Sequence, residues 1–296
     1  GGIIDEEALV DAIKSGHVAG AALDVFEQEP LDKQALRDLG DKVILTPHLG
    51  ASTEEAQLNV AIDVAEQIAE VLSGGEARAA VNMPSVRPEL LAVLKPFFPL
   101  AERLGAVAAQ LADGPVESVE VAYMGALAEE EVKPLTAAVL KGVLTPAMRE
   151  RVNFVNATHL AKERGVSVTE VKSAEETEYV DLIRIKLRTP NRERIVAGTL
   201  LSNDLLSIVQ IDDYAFNLFP TGTLLFAPHQ DVPGSVGRLG MLLGERQINI
   251  FGMQLGRKAK HGPALMVLNL DEHVPEAVLD EIMQLPGFFD VKVVHV

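Results

Sequence analysis

The stretches that decide the fold at the start of the chain read AGAALDV at residues 19–25 and VILT at residues 43–46. Both are short and apolar, and a proline follows each of them, Pro30 after the first run and Pro47 after the second. A brief apolar run between turn residues is typical of a buried parallel strand. We therefore predict two neighbouring parallel strands here.

Helical patterns flank these two strands. Asp5 precedes an apolar stripe that stops at Gly16, and Ser52 forms a predicted capping box with Glu55 before a second stripe. The second stripe runs through Ala61, Val64, Ile68 and Leu72 and ends at Gly74-Gly75. Helices that alternate with buried strands predict an α/β layer over residues 1–82.

Residues 83–221 form a second predicted domain. Prolines become frequent after the sequence VNMP at residues 81–84, which marks a boundary. Helical patterns cover 90–111, 129–143 and 156–164, and a strand pattern covers 179–187. Apolar and basic residues alternate in that strand, so one face of its sheet is predicted to meet water. The expected fold of this domain is α+β.

Residues 222–296 form the third predicted domain. The predicted strands cover 223–227, 248–255, 264–270 and 289–296, with one helix before Glu245 and another over 275–285. The order of elements is βαββαβ, which predicts a ferredoxin-like domain.

The composition narrows the possible functions. The 296 residues carry 26 Lys and Arg against 43 Asp and Glu, a net charge of −17, which disfavours nucleic acid and anionic membranes as partners. The absence of cysteine excludes disulfides, thiolate catalysis and cysteine-bound metals. Nothing at the start resembles a signal peptide, so a cytoplasmic location is expected. The chain begins with GGII instead of Met, and we expect this start to be a cut.

Polar residues follow both early strands. Asp24 and Glu29 come after the first strand and His48 after the second, where ligands of open α/β sheets bind. Glu29 is a candidate to orient His48 as an acid/base, with a nicotinamide as the hydride acceptor. Gly50 and Ala51 are small enough for a planar ring to approach the backbone. The pattern by itself nevertheless favours a plain loop histidine near an exposed turn acid.

A second polar cluster lies in the last domain. His229, Asp231 and Pro233 stand between its first strand and first helix, and Asn249 lies on its predicted second strand. The N-terminus of a helix can receive a carboxylate, and Asp231 can receive an ammonium group. His229 and Asn249 can contact other polar atoms of a ligand, so the cluster suits a small zwitterion. A helix-capping loop with turn-forming Asp and Asn explains the same residues equally well.

Four motifs together resemble one family. They read GGIIDEEAL at 1–9, AGAALDVF at 19–26, EP at 29–30 and TPHLGAST at 46–53. They resemble the D-isomer-specific 2-hydroxyacid dehydrogenases, and the two later domains resemble that family's serine-synthesis branch. The resemblance implies a C-terminal remnant of a Rossmann-like dinucleotide-binding domain (1–82), an intervening regulatory domain (83–221) of the type that binds an allosteric substrate, and an ACT domain (222–296).

The resemblance also implies roles for the residues after the strands. His48 corresponds to the acid/base, Glu29 to the residue that orients it, and Asp24 to a contact at the nicotinamide end of NAD. Leu49, Gly50 and Ala51 correspond to the loop on the nicotinamide side. The implied reaction is NAD-dependent oxidation of 3-phosphoglycerate to phosphohydroxypyruvate.

Two features of the family pattern are missing. The family's substrate-binding Arg stands immediately before the glycine that corresponds to Gly1, and the Gly-x-Gly-x-x-Gly fingerprint is absent. The nearest glycines, Gly234, Gly237 and Gly240, have the wrong spacing. We therefore expect a C-terminal part of the enzyme that does not turn over alone.

For the last domain, the resemblance to ACT domains implies that the loop with His229 and Asp231, together with Asn249, binds the effector L-serine between two ACT domains. A homo-oligomer, a dimer or a tetramer, is the expected assembly. Two other hypotheses stay open. The chain could be a regulatory amino-acid-binding and oligomerisation module without catalysis, or part of a dehydrogenase for another 2-hydroxy acid.

Overall fold

The computed structural model describes residues 1–73, 88–148, 151–173, 175, 177–202 and 205–296. The chain divides into two compact units, Gly1–Ala80 and Val81–Val296. The predicted boundary at residues 82 and 83 lies outside the described residues, as does the predicted helix end at Gly74-Gly75. The second and third predicted domains both fall within the second unit.

The first unit is built around a parallel pair of strands. Its elements are helix α1 (Glu6–Lys14), strand β1 (Ala21–Leu23), helix α2 (Gln34–Arg37), strand β2 (Val43–Leu45) and helix α3 (Glu54–Leu72). Strands β1 and β2 run parallel, with Ala22 opposite Ile44, as predicted. A small core of Val10, Leu23, Phe26 and Leu36 joins α1, β1 and α2.

Two predictions for this unit were wrong in detail. Helix α3 begins after Thr53, whose hydroxyl accepts the N–H of Ala56 at 3.1 Å, so Ser52 is not the N-cap. Neither predicted strand is buried on both faces, because Ala22 of β1 is exposed and Ile44 of β2 is 65% exposed. Because side chains alternate along a strand, Ile44 lies on the opposite face from Val43 and Leu45. No described residue of this unit covers that face.

The second unit begins with a helical layer on a six-stranded sheet. Its helices here are α4 (Pro88–Leu94), α5 (Phe97–Leu111), α6 (Lys133–Leu144) and α7 (Ala157–Glu163). Its strands are β3 (Ser118–Gly125), β4 (Ser167–Ser173), β5 (Asp181–Arg188), β6 (Glu193–Leu201), β7 (Leu205–Ile211) and β8 (Tyr214–Leu218), in the order β4-β3-β5-β6-β7-β8.

The predicted alternation in this sheet is confirmed. Ile183, Ile185 and Leu187 are fully buried under the helices, whereas Arg184 and Lys186 lie on the partly exposed opposite face. The helix predicted over 90–111 is two helices, since α4 ends at Leu94 and α5 starts after Pro96. The helix predicted from residue 129 starts only at Lys133.

The end of the chain folds as the predicted βαββαβ unit. Its elements are β9 (Thr223–Gln230), α8 (Ser235–Glu245), β10 (Ile250–Arg257), β11 (Pro263–Leu270), α9 (Glu276–Met283) and β12 (Lys292–His295). The strands are antiparallel neighbours in the order β10-β11-β9-β12. Pro233 was expected in the first helical turn but precedes the N-cap Gly234, whose φ of +89° is not helical.

Both faces of this four-stranded sheet are covered at its inner strands, β9 and β11. One face, which includes Leu225, Ala227 and Met266, packs in one core with residues of α8 and α9. The other face presents Leu224, Phe226, Leu265, Val267 and Val294, which belong to the same core as the six-stranded sheet and its helices. The sheets therefore share one hydrophobic core, which explains why residues 83–221 and 222–296 form one compact unit.

Charged side chains complete that junction. The buried Arg194 donates from Nε to the carbonyl of Leu111 at 2.9 Å and from Nη1 to Asp212 Oδ2 at 2.7 Å. Across the junction, Arg192 pairs with Asp290 at 3.3 Å and Lys292 pairs with Asp113.

Candidate active site and effector site

The parallel pairing of β1 and β2 brings the first cluster together. Both strands end at the same edge, so the residues after Leu23 and after Leu45 meet there. Asp24, Glu29 and His48 all lie at this edge and are linked by the contacts described below. The position matches the crevice where open α/β sheets bind ligands.

Asp24 organises the loop that follows β2. Its Oδ1 accepts the hydroxyl of Thr46 at 2.6 Å and the N–H of Leu49 at 2.7 Å, and its Oδ2 accepts the N–H of Gly50 at 2.7 Å. The Thr46 hydroxyl, followed by the Leu49 N–H, lowers the pKa of this carboxyl below its usual range. Asp24 therefore stays ionised and fixes the backbone on both sides of Leu49.

Glu29 and His48 form the predicted dyad. Glu29 Oε2 lies 2.8 Å from His48 Nδ1, and Glu29 Oε1 accepts the N–H of Phe26 at 3.1 Å. The hydrogen bond to Glu29 raises the pKa of His48, and the same bond lowers the pKa of Glu29. In the neutral ring, Nδ1–H donates to Glu29 and Nε2 keeps its lone pair. Nε2 is thus the atom that can take a proton.

The dyad opens into a cavity of about 620 Å³. Its lining residues are Phe26, Glu29, Pro30, Leu31, Arg37, Leu45, Thr46, Pro47 and His48. The side chain of His48 is 61% exposed, so a molecule that enters from solvent can reach it. His48 has a φ of +56°, a backbone conformation that the bonds from Asp24 to the next two residues help to hold.

The sequence analysis missed a supporting network behind the dyad. The buried Glu6 accepts the N–H of Glu27 at 2.6 Å and pairs with Lys33 at 3.2 Å, and Lys33 also pairs with Glu27 at 2.5 Å. This network ties the segment before Glu29 to helix α1. Glu6 looks like an ordinary acidic residue of a first helical turn, so no sequence signal distinguishes it.

The structure brings two residues of the second cluster, His229 and Asp231, to the same cavity. His229 is 1% exposed, stacks on Phe288 with ring centroids 5.2 Å apart, and bonds through Nδ1 to the carbonyl of Ala227. Asp231 lies at this cavity of about 370 Å³, which the loop 231–237 and the β10–β11 turn enclose. His229 contributes to the wall of that cavity from below.

Asn249 does not join them within one chain. It precedes β10, which starts at Ile250 and not at the predicted residue 248, and its amide donates to Asp271 at 2.6 Å. The cavity lies beside Arg257, at the other end of the eight-residue strand, roughly 25 Å away at 3.3 Å per residue. Any joint role of Asn249 and Asp231 therefore needs two chains.

Among the described residues, the remaining charged groups suggest no further centre. The basic run at residues 257–262 forms the turn between β10 and β11, as predicted. No group of three or more metal-ligating residues occurs within the part of the chain that the structure describes. None of the helices in that part is long and apolar enough to cross a membrane.

Comparison with protein families assigns each part of the chain. Residues 1–50 match the NAD-binding domain of the D-isomer specific 2-hydroxyacid dehydrogenases. Residues 93–212 match the D-3-phosphoglycerate dehydrogenase intervening domain, and residues 224–287 match the ACT domain. These matches place the chain in the 2-hydroxyacid dehydrogenase class, with the expected domain series.

Individual relatives narrow the class. The chain is 48% identical to a D-3-phosphoglycerate dehydrogenase of Synechocystis sp. over 98% of its own length and 52% of the relative. The corresponding proteins of Methanocaldococcus jannaschii and Bacillus subtilis are 43% and 41% identical over 100% and 99% of the chain, and over 56% of each relative. The chain belongs to the D-3-phosphoglycerate dehydrogenase family and spans about half the length of these curated relatives.

The loop after His48 is the part of this chain that the resemblance assigns to NAD. The exposed loop at Leu49, Gly50 and Ala51 is fixed by Asp24, and a Cβ at Gly50 would lie 3.3 Å from Asp24 Oδ2, so glycine lets this carboxylate come close to the loop. A glycine-rich phosphate cradle is not part of this sequence. The chain therefore contains the loop that the resemblance assigns to the nicotinamide side of NAD, without such a cradle.

Proposed function

We propose that this chain supplies the acid/base dyad and the effector site of an NAD-dependent D-3-phosphoglycerate dehydrogenase. The observation that carries the proposal is the 2.8 Å contact between His48 Nδ1 and Glu29 Oε2, at the strand edge where the NAD-binding family model matches. The substrate would be 3-phosphoglycerate and the product phosphohydroxypyruvate. The reaction belongs to L-serine synthesis, and we place it in the cytoplasm.

The dyad performs the proton transfer of this reaction. His48 Nε2 takes the proton of the substrate 2-hydroxyl while Glu29 holds Nδ1–H and stabilises the imidazolium that forms. Asp24 holds the backbone after His48 in place during this step. NAD, when bound, supplies the hydride acceptor, and Leu49, Gly50 and Ala51 would lie along its nicotinamide side.

L-serine is the proposed effector at the second site. The ammonium group suits the carboxylate of Asp231, and the carboxylate suits the N-terminus of α8. His229 closes the cavity wall and Asn249 of a second copy adds a polar contact. A product of the pathway at this site would give feedback control of the first step.

A two-fold pair of chains supplies that second copy. Strand β10 is the edge of its sheet, and its residues Phe251, Met253 and Leu255 are 53%, 43% and 43% exposed. Two β10 edges related by a two-fold axis run antiparallel, which places the start of one strand beside the end of the other. Such a pair brings Asn249 of one copy to the cavity of its partner. A dimer, or a tetramer built from dimers, follows.

The catalytic proposal is tested on the full-length protein as its gene encodes it. We expect NADH formation from 3-phosphoglycerate and NAD, and a loss of about 10²- to 10⁴-fold in kcat/KM for His48→Gln, the range of general acid–base catalysis. His17→Gln, an exposed histidine outside the site, is the matched control. Retained activity in His48→Gln contradicts the proposed role, and turnover of another 2-hydroxy acid alone contradicts the substrate.

The alternative is an amino-acid-binding module without catalysis. The cavity at Asp231 would serve either function, so binding alone does not separate them. Calorimetry with L-serine tests the effector proposal, and loss of the heat signal in Asp231→Ala is the expected result. Binding without dehydrogenase activity in the full-length protein favours the module.

A further inference from the structure

The proposed ammonium site is already occupied by a side chain of the same protein. Asp231 Oδ2 lies 3.0 Å from Arg257 Nη1, and the Asp231 side chain is 21% exposed against 56% for Arg257. Arg257 is the largest cause that lowers the pKa of Asp231. The guanidinium thus holds one of the two oxygens of the carboxylate, so an incoming ammonium group has to displace it to gain the whole of Asp231.

The neighbours of Arg257 hold it in this position. Gly256 lies so close to Phe216 and Tyr214 that a Cβ there would stand 2.9 and 3.0 Å from them, and Lys258 pairs with Asp213. Because side chains alternate along β10, these two neighbours face the six-stranded sheet while Arg257 faces the cavity. The backbone that carries Arg257 is therefore anchored, and only its side chain has to move.

We propose that Arg257 competes with the ammonium group of an amino-acid effector for Asp231 and so sets the affinity of the cavity. This inference rests on the proposed effector function. The effector displaces the guanidinium into solvent and takes its place on the carboxylate. Exposed ion pairs are weak, so the competition weakens binding by about two- to fivefold.

Calorimetric titration of the 296-residue chain with L-serine tests this competition. Arg257→Gln is expected to lower the Kd two- to fivefold, and Arg257→Lys to stay closer to the unmodified chain. Arg246→Gln is the matched control, because Arg246 also forms an exposed ion pair in this domain, with Glu281 at 2.7 Å, away from the cavity.

A double-mutant cycle separates competition from other causes. In an Asp231→Asn background the carboxylate is gone, so Arg257→Gln should neither restore nor strengthen the binding of L-serine. An unchanged or higher Kd for Arg257→Gln overturns the inference and leaves the effector proposal intact. If neither the unmodified chain nor Arg257→Gln binds L-serine, both proposals fail. Binding by Arg257→Gln alone supports the competition in its strongest form.

Discussion

The two units place their charged groups in different surroundings. At the first site, the side chains of His48 and Glu29 are 61% and 36% exposed, and the dyad meets an open cavity. In the second unit, the side chain of Arg194 is 8% exposed and His229 as a whole is 1% exposed. Both histidines follow a strand or lie at its end, yet only His48 has access to solvent.

The difference shows how burial divides the tasks of similar residues. An exposed histidine with a carboxylate partner can change its charge at little cost, which proton transfer requires. A buried histidine or arginine is expensive to leave without its partners, so it serves to hold one structure. We therefore expect substitutions at the first site to change the reaction rate. Substitutions of buried polar residues in the second unit should change the free energy of unfolding.

Removal of Arg194 is the strongest test of the second half of this contrast. Arg194→Ala removes the buried donor to Asp212 and to the carbonyl of Leu111, although Arg192 and Lys292 still contact these two groups. We expect a loss of about 3 kcal/mol in the free energy of unfolding. Urea denaturation measures it. Arg192→Ala, at a side chain 44% exposed, should lose no more than about 1 kcal/mol. Equal losses would remove the contrast.

The two histidines give the next largest difference in stability. His229→Ala deletes a ring that stacks on Phe288 in the core, with an expected loss of about 2–3 kcal/mol. His48→Ala should change the free energy of unfolding much less, as exposed substitutions do. Both are read from denaturation midpoints, and a destabilised His48→Ala would contradict a purely chemical role.

Replacement of Glu29 tests the dyad itself. Glu29→Gln keeps the shape but removes the charge that stabilises the imidazolium. We expect kcat/KM to fall roughly 10- to 100-fold, less than the roughly 10⁴-fold loss at a buried triad carboxylate, since this pair is exposed. Steady-state kinetics on the full-length protein measures it, with Glu7→Gln as the exposed control. A rate equal to that of the unmodified protein would exclude Glu29 as the orienting residue.

The pH dependence gives the smallest but most specific effect. Oxidation needs neutral His48, and Glu29 raises the pKa of that ring, so kcat/KM should rise with pH through a value above that of a free histidine. The stability that the charged pair adds has the opposite trend: it is present below the ordinary histidine pKa and is lost as pH rises through the raised one. Glu29→Gln should move the rise in rate to lower pH, and NMR titration of His48 checks the assignment.

Sequence patterns anticipated the elements better than their ends. The parallel pair, the βαββαβ order and the wet face of the central sheet depend on local periodicity and were predicted correctly. The helix break before Pro96 and the N-cap at Thr53 were missed, because neighbouring residues can serve equally well and geometry chooses among them.

The residues of the candidate sites were also predicted only in part. The motif around His48 and the EP pair at Glu29 predicted the dyad. Both residues follow parallel strands that end at the same edge, which indicated that they lie close together. Three contacts could not be predicted from the sequence. Asp24 accepts hydrogen bonds from the loop with both carboxylate oxygens, Glu6 binds the segment before Glu29, and Arg257 pairs with Asp231. These contacts join residues 20 or more positions apart, beyond the reach of a local pattern.

The sequence by itself determined the domain series, the family and the residues of the proposed proton transfer, because those are written in short motifs and in hydrophobic periodicity. Only the tertiary structure decided that the last two predicted domains share one core and that His229 is buried. It also decided that Asn249 lies just before β10, at the end of that strand far from Asp231. Burial and strand direction are properties of the packed chain, and a residue's neighbours in space decide which of its groups remain free for chemistry.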